Sequence, residues 1–124
     1  MHQSGAKVLV LEDDPLINLS MTEMIEGFGY HVRSFMTLVD AFNAAREDRP
    51  DVAVLDVNVA STTSYVLAEW LYNQNVPIIF ITGYEQVAPF GRWRDYPVCR
   101  KPCREEVVRK LLEDVLKRPT SSKL

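Results

Sequence analysis

Five polar side chains directly follow short runs of aliphatic residues, and their types would suit phosphoryl-group chemistry. They are Glu12, Asp13, Asp56, Thr82 and Lys101. Neighbouring carboxylates repel one another, so such a cluster needs a counter-charge, and Mg²⁺ prefers oxygen ligands of this kind. A lysine opposite would supply a fixed positive charge, and a threonine hydroxyl can donate a hydrogen bond to a phosphoryl oxygen. Phosphoryl transfer requires mainly positioning and charge neutralisation, and this set offers both.

The nucleophile of such a site would be Asp56, since it is the single carboxylate at the end of the predicted central strand. Asp13 and Asp56, with a backbone carbonyl from the following loop, would supply oxygen ligands for Mg²⁺. Taken alone, the acidic cluster has a simpler interpretation, because carboxylates are favourable at any helix N-terminus. Asp14, just before Pro15, fits that interpretation and is predicted to be a helix N-cap. The argument therefore depends on the combination of residues.

Short apolar runs alternate with stretches of helical periodicity, a pattern typical of a parallel α/β sheet. The runs predict strands at 7–11, 31–35, 52–55, 78–81 and 96–100. We expect a three-layer, flavodoxin-like doubly wound fold with five parallel strands in the order 2-1-3-4-5 and five helices. The fourth helix would be short at most, because Pro89 and Gly91 interrupt the pattern of 84–96. Ligands bind at the carboxyl ends of the strands in such sheets, where the five polar residues would meet.

Two stretches are less regular than the rest. Residues 57–63 are interpreted as a polar loop, followed by a third helix at 64–75 that buries Leu67, Trp70 and Leu71. Phe90 and Trp93, with the nearby Tyr96, lie in a segment without clear periodicity. These three aromatic residues would either pack inward or form a surface for a partner.

Four segments, in this order and spacing, resemble the receiver domain of bacterial two-component response regulators. They are Val8-Leu9-Val10-Leu11-Glu12-Asp13-Asp14-Pro15, Val52-Ala53-Val54-Leu55-Asp56, Thr82-Gly83 and Lys101-Pro102. The resemblance places a receiver domain at 7–118 and leaves 119–124 as a flexible tail. The string Phe80-Ile81-Thr82-Gly83-Tyr84 further resembles the single-domain receivers that carry a Phe-Ala-Thr-Gly-Gly/Tyr-Tyr-type motif.

The resemblance implies a phosphorylation-dependent switch in a phosphorelay. Asp56 would accept a phosphoryl group from a histidine kinase or a histidine phosphotransfer protein, and the chain would act through a protein partner as a monomer or weak dimer. We expect no enzymatic activity beyond Mg²⁺-dependent self-phosphorylation from a phosphodonor and autodephosphorylation.

The resemblance also implies a role for each residue of the site. Asp13 would bind Mg²⁺ directly, Glu12 through water, and Asn58 through its main-chain carbonyl. Thr82 and Lys101 would contact the phosphoryl group.

Three positions depart from the family pattern. Receivers often carry a proline four residues and a glycine eight residues after the phosphoacceptor, where this chain has Ala60 and Ser64. We therefore expect a loop of different shape. Many receivers place a switch tyrosine or phenylalanine three residues before the lysine, where this chain has Val98. The response would then depend on loop ordering more than on the movement of an aromatic ring.

Composition limits the remaining possibilities. A chain of 124 residues, 47% of them hydrophobic, fits one domain with its own core. The net charge of -3 argues against binding of nucleic acid through bulk charge. The apolar runs are far shorter than the roughly 20 residues of a membrane span, and no signal segment is recognisable, so we expect a cytoplasmic location. Cys99 and Cys103 are interpreted as reduced, packed thiols, with a redox role as the alternative.

Two other functions stay open. The first is a receiver-like interaction module that is never phosphorylated, which the departures at Ala60, Ser64 and Val98 would permit. The second is a small Mg²⁺-dependent phosphatase with Asp56 as nucleophile. Such enzymes usually need a second carboxylate two residues later as general acid, and that position holds Asn58.

Overall fold

The computed structural model describes residues 5–83 and 88–117. The strands are β1 (Lys7–Leu11), β2 (His31–Phe35), β3 (Val52–Asp56), β4 (Asn58–Val59), β5 (Thr62–Thr63), β6 (Ile78–Thr82) and β7 (Val98–Arg100). The α-helices are α1 (Pro15–Gly27), α2 (Leu38–Glu47), α3 (Tyr65–Asn73) and α4 (Glu105–Leu116). None of the helices in these ranges is long and apolar enough to cross a membrane.

The main sheet confirms the predicted fold. Its five strands are parallel and lie in the order β2-β1-β3-β6-β7, which is the order 2-1-3-4-5 once the short strands β4 and β5 are set aside. Every residue of β3 and β6 is buried, as expected for central strands covered on both faces. The sheet therefore has helices on both sides, in three layers.

Alternation along the strands divides the core into two halves. One half joins the sheet to α2 and α3, and it includes Leu9, Leu11, Ala53, Leu55, Ile78, Phe80, Leu67 and Leu71. The other half joins the sheet to α1 and α4, and it includes Val8, Val10, Val52, Val54, Ile79, Ile81, Met21, Ile25, Val108 and Leu112. Each central strand thus sends alternate side chains into opposite halves, which fixes its register.

The helix count differs from the prediction. Between β6 and β7 the described residues contain only one 3₁₀ turn, Gly91–Trp93, and residues 84–87 of the predicted fourth helix lie outside the described ranges. Pro89 and Gly91 interrupt the helical pattern here, as the sequence indicated. The helix α3 is also shorter than predicted and buries Leu67, Ala68 and Leu71, whereas Trp70 is half-buried against Phe42.

The structure answers the open question about the three aromatic residues: two of them pack inward and the third stays mostly exposed. Trp93 and Tyr96 pack inward, with ring centroids 5.8 Å and 6.1 Å from that of Phe80. Tyr65 stacks on Trp93 at 6.0 Å. Phe90 keeps 58% of its surface exposed while its ring edge meets Tyr65 at 5.3 Å. We call these five side chains the aromatic cluster; three of them, Phe90, Trp93 and Tyr96, lie in the segment where at most a short helix was predicted.

The segment 57–63, interpreted from the sequence as a polar loop, instead contains a small hairpin. Strands β4 and β5 pair antiparallel, with Val59 opposite Thr62. The two turn residues, Ala60 and Ser61, have φ of 50° and 69°. Left-handed backbone at both central positions is the two-residue hairpin turn that matches strand twist. Proline, whose φ is fixed near −65°, cannot occupy position 60 of this turn, so the departure at Ala60 permits the hairpin.

The strained turn leads to a stability prediction. Left-handed backbone costs a non-glycine residue about 1–2 kcal/mol, and a glycine avoids this cost. A glycine also makes the unfolded chain more flexible, which removes part of the gain in stability. Ala60→Gly should therefore raise the free energy of unfolding by about 0.5–1 kcal/mol in urea denaturation, whereas Ala60→Pro should lower it by at least about 2 kcal/mol.

The control for this prediction is Ala88→Gly, since Ala88 is exposed and is not among the residues with positive φ. That change should lower stability, because it adds only unfolded-state freedom. If Ala60→Gly destabilised the protein as much as Ala88→Gly does, the turn would not have the strain described here.

Candidate functional site

The predicted site residues meet at the carboxyl edge of the main sheet. Glu12 and Asp13 follow β1, Asp56 ends β3, Thr82 ends β6, and Lys101 follows β7. Parallel pairing aligns these ends, because Asp56 lies opposite Ile81 and Thr82 lies opposite Arg100. The fold thus brings all five residues to one rim, as the order of the strands predicted.

Three carboxylates form a compact acidic cluster there. Oxygen atoms of Glu12, Asp13 and Asp56 lie within 4.8 Å of one another. Glu12 and Asp56 are almost fully buried, at 0% and 1% exposure, whereas Asp13 is exposed at the mouth of the site. Buried carboxylates need nearby positive charge or hydrogen-bond donors, since they lose their hydration.

Lys101 supplies that charge to both buried carboxylates. Its Nζ lies 2.7 Å from Glu12 Oε1 and 3.0 Å from Asp56 Oδ2. Burial on its own lowers the pKa of Lys101, but hydrogen bonds to Glu12 and Asp56 outweigh that effect and the pKa lies above its ordinary value. The ammonium group is thus held in its charged form between the two carboxylates.

The positive charge of Lys101 does not fully balance Glu12. Burial raises the pKa of Glu12 from 4.5 to about 7, although the hydrogen bonds from Lys101 and from the Asp14 backbone N–H, 2.9 Å from Oε2, both lower it. The negative charge of Asp56 adds to the rise. Three close carboxylates face one ammonium group, so a bound cation would reduce the repulsion between the carboxylates. Their oxygen atoms are also the ligands that Mg²⁺ prefers. The residues present therefore fit a divalent cation.

The hairpin lies over this cluster and contacts two of its members. The Ala60 N–H donates to Asp13 Oδ2 at 3.0 Å, and the Asn58 N–H donates to Asp56 Oδ1 at 3.3 Å. The hairpin thus holds the Asn58 N–H beside Asp56, and the metal contact of the Asn58 carbonyl stays a prediction. The Ala60 contact was not predicted, because no sequence pattern marks a backbone N–H.

Thr82 is fully buried at the end of β6, and its carbonyl accepts the backbone N–H of Lys101 at 2.8 Å. This bond joins the ends of the last two strands of the site.

The other positions singled out in the sequence lie outside the acidic cluster. Val98, where many receivers have an aromatic residue, is half-buried and pairs with Phe80. Ser64 is fully buried just before α3, and its hydroxyl has no hydrogen-bond partner in the described part of the chain. Tyr84 of the quoted motif lies outside the described residues.

One supporting residue was missed by the sequence analysis. The side-chain amide of Asn18, on the buried face of α1, donates to the carbonyls of Glu12 and Phe35, at 3.0 Å and 3.1 Å. It thereby fixes the backbone that carries the acidic pair. The sequence does contain a sign of this role. Asn18 lies three and seven residues before Met21 and Ile25, so a polar side chain falls on the buried face of the helix and needs hydrogen-bond partners there.

The raised pKa of Glu12 leads to a prediction for the metal-free protein in chelator. The folded-state pKa of about 7 lies above the unfolded value of 4.5, so the folded chain holds an extra proton between these values and releases it on unfolding. Stability should then fall as pH rises through this window. Relative to the parent, Glu12→Gln should gain about 3 kcal/mol in free energy of unfolding between about pH 4 and pH 8.

Glu106→Gln provides a control of opposite sign. The pKa of the exposed Glu106 is lowered by its hydrogen bond from Arg104, so the parent gains stability from this group as pH rises. Its amide variant should show a small relative loss with pH. A pH-independent difference between the parent and Glu12→Gln would contradict the assignment of an unbalanced buried carboxylate.

Both the sequence and the fold of this chain resemble those of known proteins. A family model described as the response regulator receiver domain matches residues 8–96. The phyllosphere-induced regulator PhyR of Methylorubrum extorquens is 33% identical over 86 residues, 66% of this chain and 32% of PhyR. The polar-differentiation response regulator DivK of Brucella anthropi is 26% identical over 81 residues, 62% of this chain and 66% of DivK. The chain thus spans about a third of PhyR and about two-thirds of DivK.

A solved structure shows the same fold over nearly the whole chain. The solution structure of SdrG from Sphingomonas melonis Fr1 has a TM-score of 0.81 and 29% sequence identity, and the match covers 93% of this chain and 99% of SdrG. The matched range of the family model covers most of the chain. The chain belongs to the response regulator receiver domain family.

Proposed function

We propose that this chain is a phosphorylation-dependent switch that accepts a phosphoryl group on Asp56 from a histidine kinase or a histidine phosphotransfer protein. The observation that supports this most directly is the pairing of Lys101 with both Glu12 and Asp56 beside the exposed Asp13. A buried carboxylate held at the floor of an acidic site, with a fixed ammonium next to it, is suited to nucleophilic phosphoryl transfer.

In this proposal Asp56 acts through one carboxylate oxygen while the rest of the site holds the group in place. The P–N bond of the phosphohistidine breaks as an O–P bond to Asp56 forms, and the histidine nitrogen leaves with the bonding electron pair. Lys101 then balances charge on the transferred oxygens. The Thr82 hydroxyl, at the end of the neighbouring strand, would donate a hydrogen bond to one of them.

Magnesium completes the proposed site. Asp13 and Asp56 would hold it directly, Glu12 through water, and Asn58 through its main-chain carbonyl. When bound, Mg²⁺ would supply positive charge that offsets the carboxylates and the incoming phosphoryl group. The close approach of three carboxylates to one ammonium group supports this assignment.

The output would be an interaction with another protein. Phosphorylation adds about −1.5 to −2 charges at Asp56, which favours a new arrangement of the loops after β6 and β7. Mg²⁺-dependent self-phosphorylation from small phosphodonors and autodephosphorylation would be the only chemistry of the chain itself. We place this activity in the cytoplasm, in a monomer or weak dimer.

One observation favours a second candidate, an interaction module that is never phosphorylated. The Ala60 N–H already occupies Asp13 Oδ2, the exposed carboxylate that would meet the metal first. In that case the hairpin would close the site permanently. The two candidates differ in whether Mg²⁺ displaces this contact.

The first test is phosphorylation by an acyl phosphate in the presence of Mg²⁺, followed by intact-protein mass spectrometry. The parent should gain one phosphoryl group, and chelator should abolish the gain. Asp56→Asn should gain none, because an amide oxygen is a poor nucleophile and cannot form the acyl phosphate.

Asp95→Asn is the matched control, since Asp95 is an exposed aspartate far along the chain from the acidic cluster. It should be phosphorylated like the parent. Uptake by Asp56→Asn at the parental rate would exclude Asp56 as the phosphoacceptor.

The second test is Mg²⁺ affinity, measured by calorimetry and by the NMR shift of the Ala60 amide. Millimolar Mg²⁺ should bind the parent and move this amide resonance, because Asp13 exchanges its N–H partner for the cation. Asp13→Asn should weaken binding at least about tenfold.

Asp14→Asn serves as the control for Asp13→Asn. It removes a neighbouring charge but retains the N-cap, in which Asp14 Oδ1 accepts from the Leu16 and Ile17 N–H groups at 2.9 Å and 3.1 Å. Mg²⁺ affinity should stay within about threefold of the parent. Absence of binding to the parent at millimolar Mg²⁺ would favour the interaction module.

A further inference from the structure

We propose that Asn18 is a positioning residue for the magnesium site: it holds the acidic residues in the geometry that binds the cation, without touching the cation itself. This role rests on the metal site of the proposed function and adds to it a residue of helix α1. It concerns the affinity for Mg²⁺, so it can be tested without phosphorylation of Asp56.

Asn18 holds the peptide group that joins the two acidic residues after β1. Its Nδ2 donates to the carbonyl of Glu12 at 3.0 Å and to the carbonyl of Phe35 at 3.1 Å. The Glu12 N–H donates to the same Phe35 carbonyl at 3.0 Å. Both polar groups of the Glu12 backbone are therefore tied to the end of β2, one directly and one through Asn18. Rotation of this segment, which would turn the side chain of Asp13, breaks these bonds.

The contact requires an amide side chain. Both partners of Asn18 Nδ2 are carbonyl oxygens, so they need a group that offers two N–H donors. Asn18 Oδ1 lies 3.5 Å from Thr22 Oγ1, whose hydroxyl donates to the Asn18 carbonyl at 2.8 Å. A carboxylate in the same place would set an oxygen atom against the two carbonyls, because it has no donor when ionised. The site therefore selects asparagine over aspartate at position 18, although the two side chains have the same shape.

Neither the helix nor the core needs an asparagine here. Asn18 is 8% exposed and shares the buried face of α1 with Met21 and Ile25. A buried amide loses its hydration, and asparagine is a weaker helix former than leucine. An apolar residue would occupy this position at a lower cost in free energy. What the asparagine contributes is its pair of hydrogen bonds to the ends of β1 and β2.

Asp13 depends on this support when a cation binds. Its carboxylate is exposed, and its Oδ2 accepts the N–H of Ala60 at 3.0 Å. A cation bound at Asp13 would take the place of that contact, so the direction of the carboxylate would then depend on the backbone that Asn18 fixes. Partners that orient a metal ligand typically change metal affinity by about 10–100-fold.

Asn18→Leu tests this role, because leucine has the same number of non-hydrogen side-chain atoms and no donor. In calorimetry, Mg²⁺ should bind this variant at least about tenfold more weakly than the parent. In phosphorylation by an acyl phosphate, the Mg²⁺ concentration that gives half the maximal rate should rise by the same factor, while the rate at saturating Mg²⁺ stays within about threefold of the parent. In chelator, hydrogen exchange of the Glu12 and Ala60 amides should be faster, which reports the loosened segment without any metal.

Thr22→Val is the matched control on the same helix. It removes the hydroxyl that donates to the Asn18 carbonyl and leaves the side-chain amide of Asn18 in place. Its Mg²⁺ affinity should stay within about threefold of the parent, because no bond to the acidic segment is lost. A role of Asn18 in packing alone would lower the free energy of unfolding of Asn18→Leu and leave the Mg²⁺ affinity of the folded protein unchanged.

Asn18→Asp provides a second variant if circular dichroism shows that Asn18→Leu is unfolded. It keeps the shape of the side chain and adds a negative charge, which by itself would strengthen Mg²⁺ binding. Weaker binding than in the parent would therefore come from the loss of the two donors, and this is the result we expect.

Parental Mg²⁺ affinity in folded Asn18→Leu, or parental or tighter binding in Asn18→Asp, would overturn this role. An equal loss of affinity in Thr22→Val would also overturn it, and absence of Mg²⁺ binding by the parent would overturn it together with the metal site. A failure of the proposed function has a different signature, in which the parent binds Mg²⁺ but Asp56 takes up no phosphoryl group. In that case the calorimetric and exchange measurements still decide the role of Asn18.

Discussion

The contact between Lys101 and two buried carboxylates is the constraint on which the rest of the structure depends. A buried charge is costly unless it is paired, and Glu12 and Asp56 are both almost inaccessible to solvent. Lys101 reaches them only because β7 lies beside β6, and β6 beside β3, at the carboxyl edge of one sheet. The strand order is thus also an electrostatic requirement. Burial still raises the pKa of Glu12, because its effect outweighs the hydrogen bonds from Lys101 and Asp14 that lower it.

Much of this arrangement could be predicted from the sequence, because it depends on the spacing of apolar residues and on which residues directly follow each apolar run. Aliphatic runs fix the strands, and a polar residue after each run must lie at the edge of a parallel sheet. The caps are equally local: Asp14 caps α1 as predicted, and Thr37 caps α2 by accepting the Asp40 N–H. These features need only a few neighbouring residues to be recognised, and the receiver resemblance added the individual roles.

What could not be predicted depends on contacts between distant backbone groups or on irregular segments. The hairpin turn uses Ala60 and Ser61, neither of which is typical of left-handed positions, and it is supported by an Asp13 contact from 47 residues away. Trp93 and Tyr96 are buried without any helical period, because a 3₁₀ turn and a loop carry them inward.

The aromatic cluster explains why position 98 holds a valine and not an aromatic residue. Phe80 and Thr82 share one face of β6, since residues two apart on a strand point the same way. Phe80 contacts Trp93, Tyr96 and Tyr65, and Tyr65 begins the helix that follows the hairpin. Tyr65 in turn accepts the Phe90 N–H at 3.2 Å. A continuous set of packed rings therefore connects the strand that carries Thr82 to an exposed phenylalanine. A ring at position 98 would have to compete for this space, because Val98 lies directly opposite Phe80.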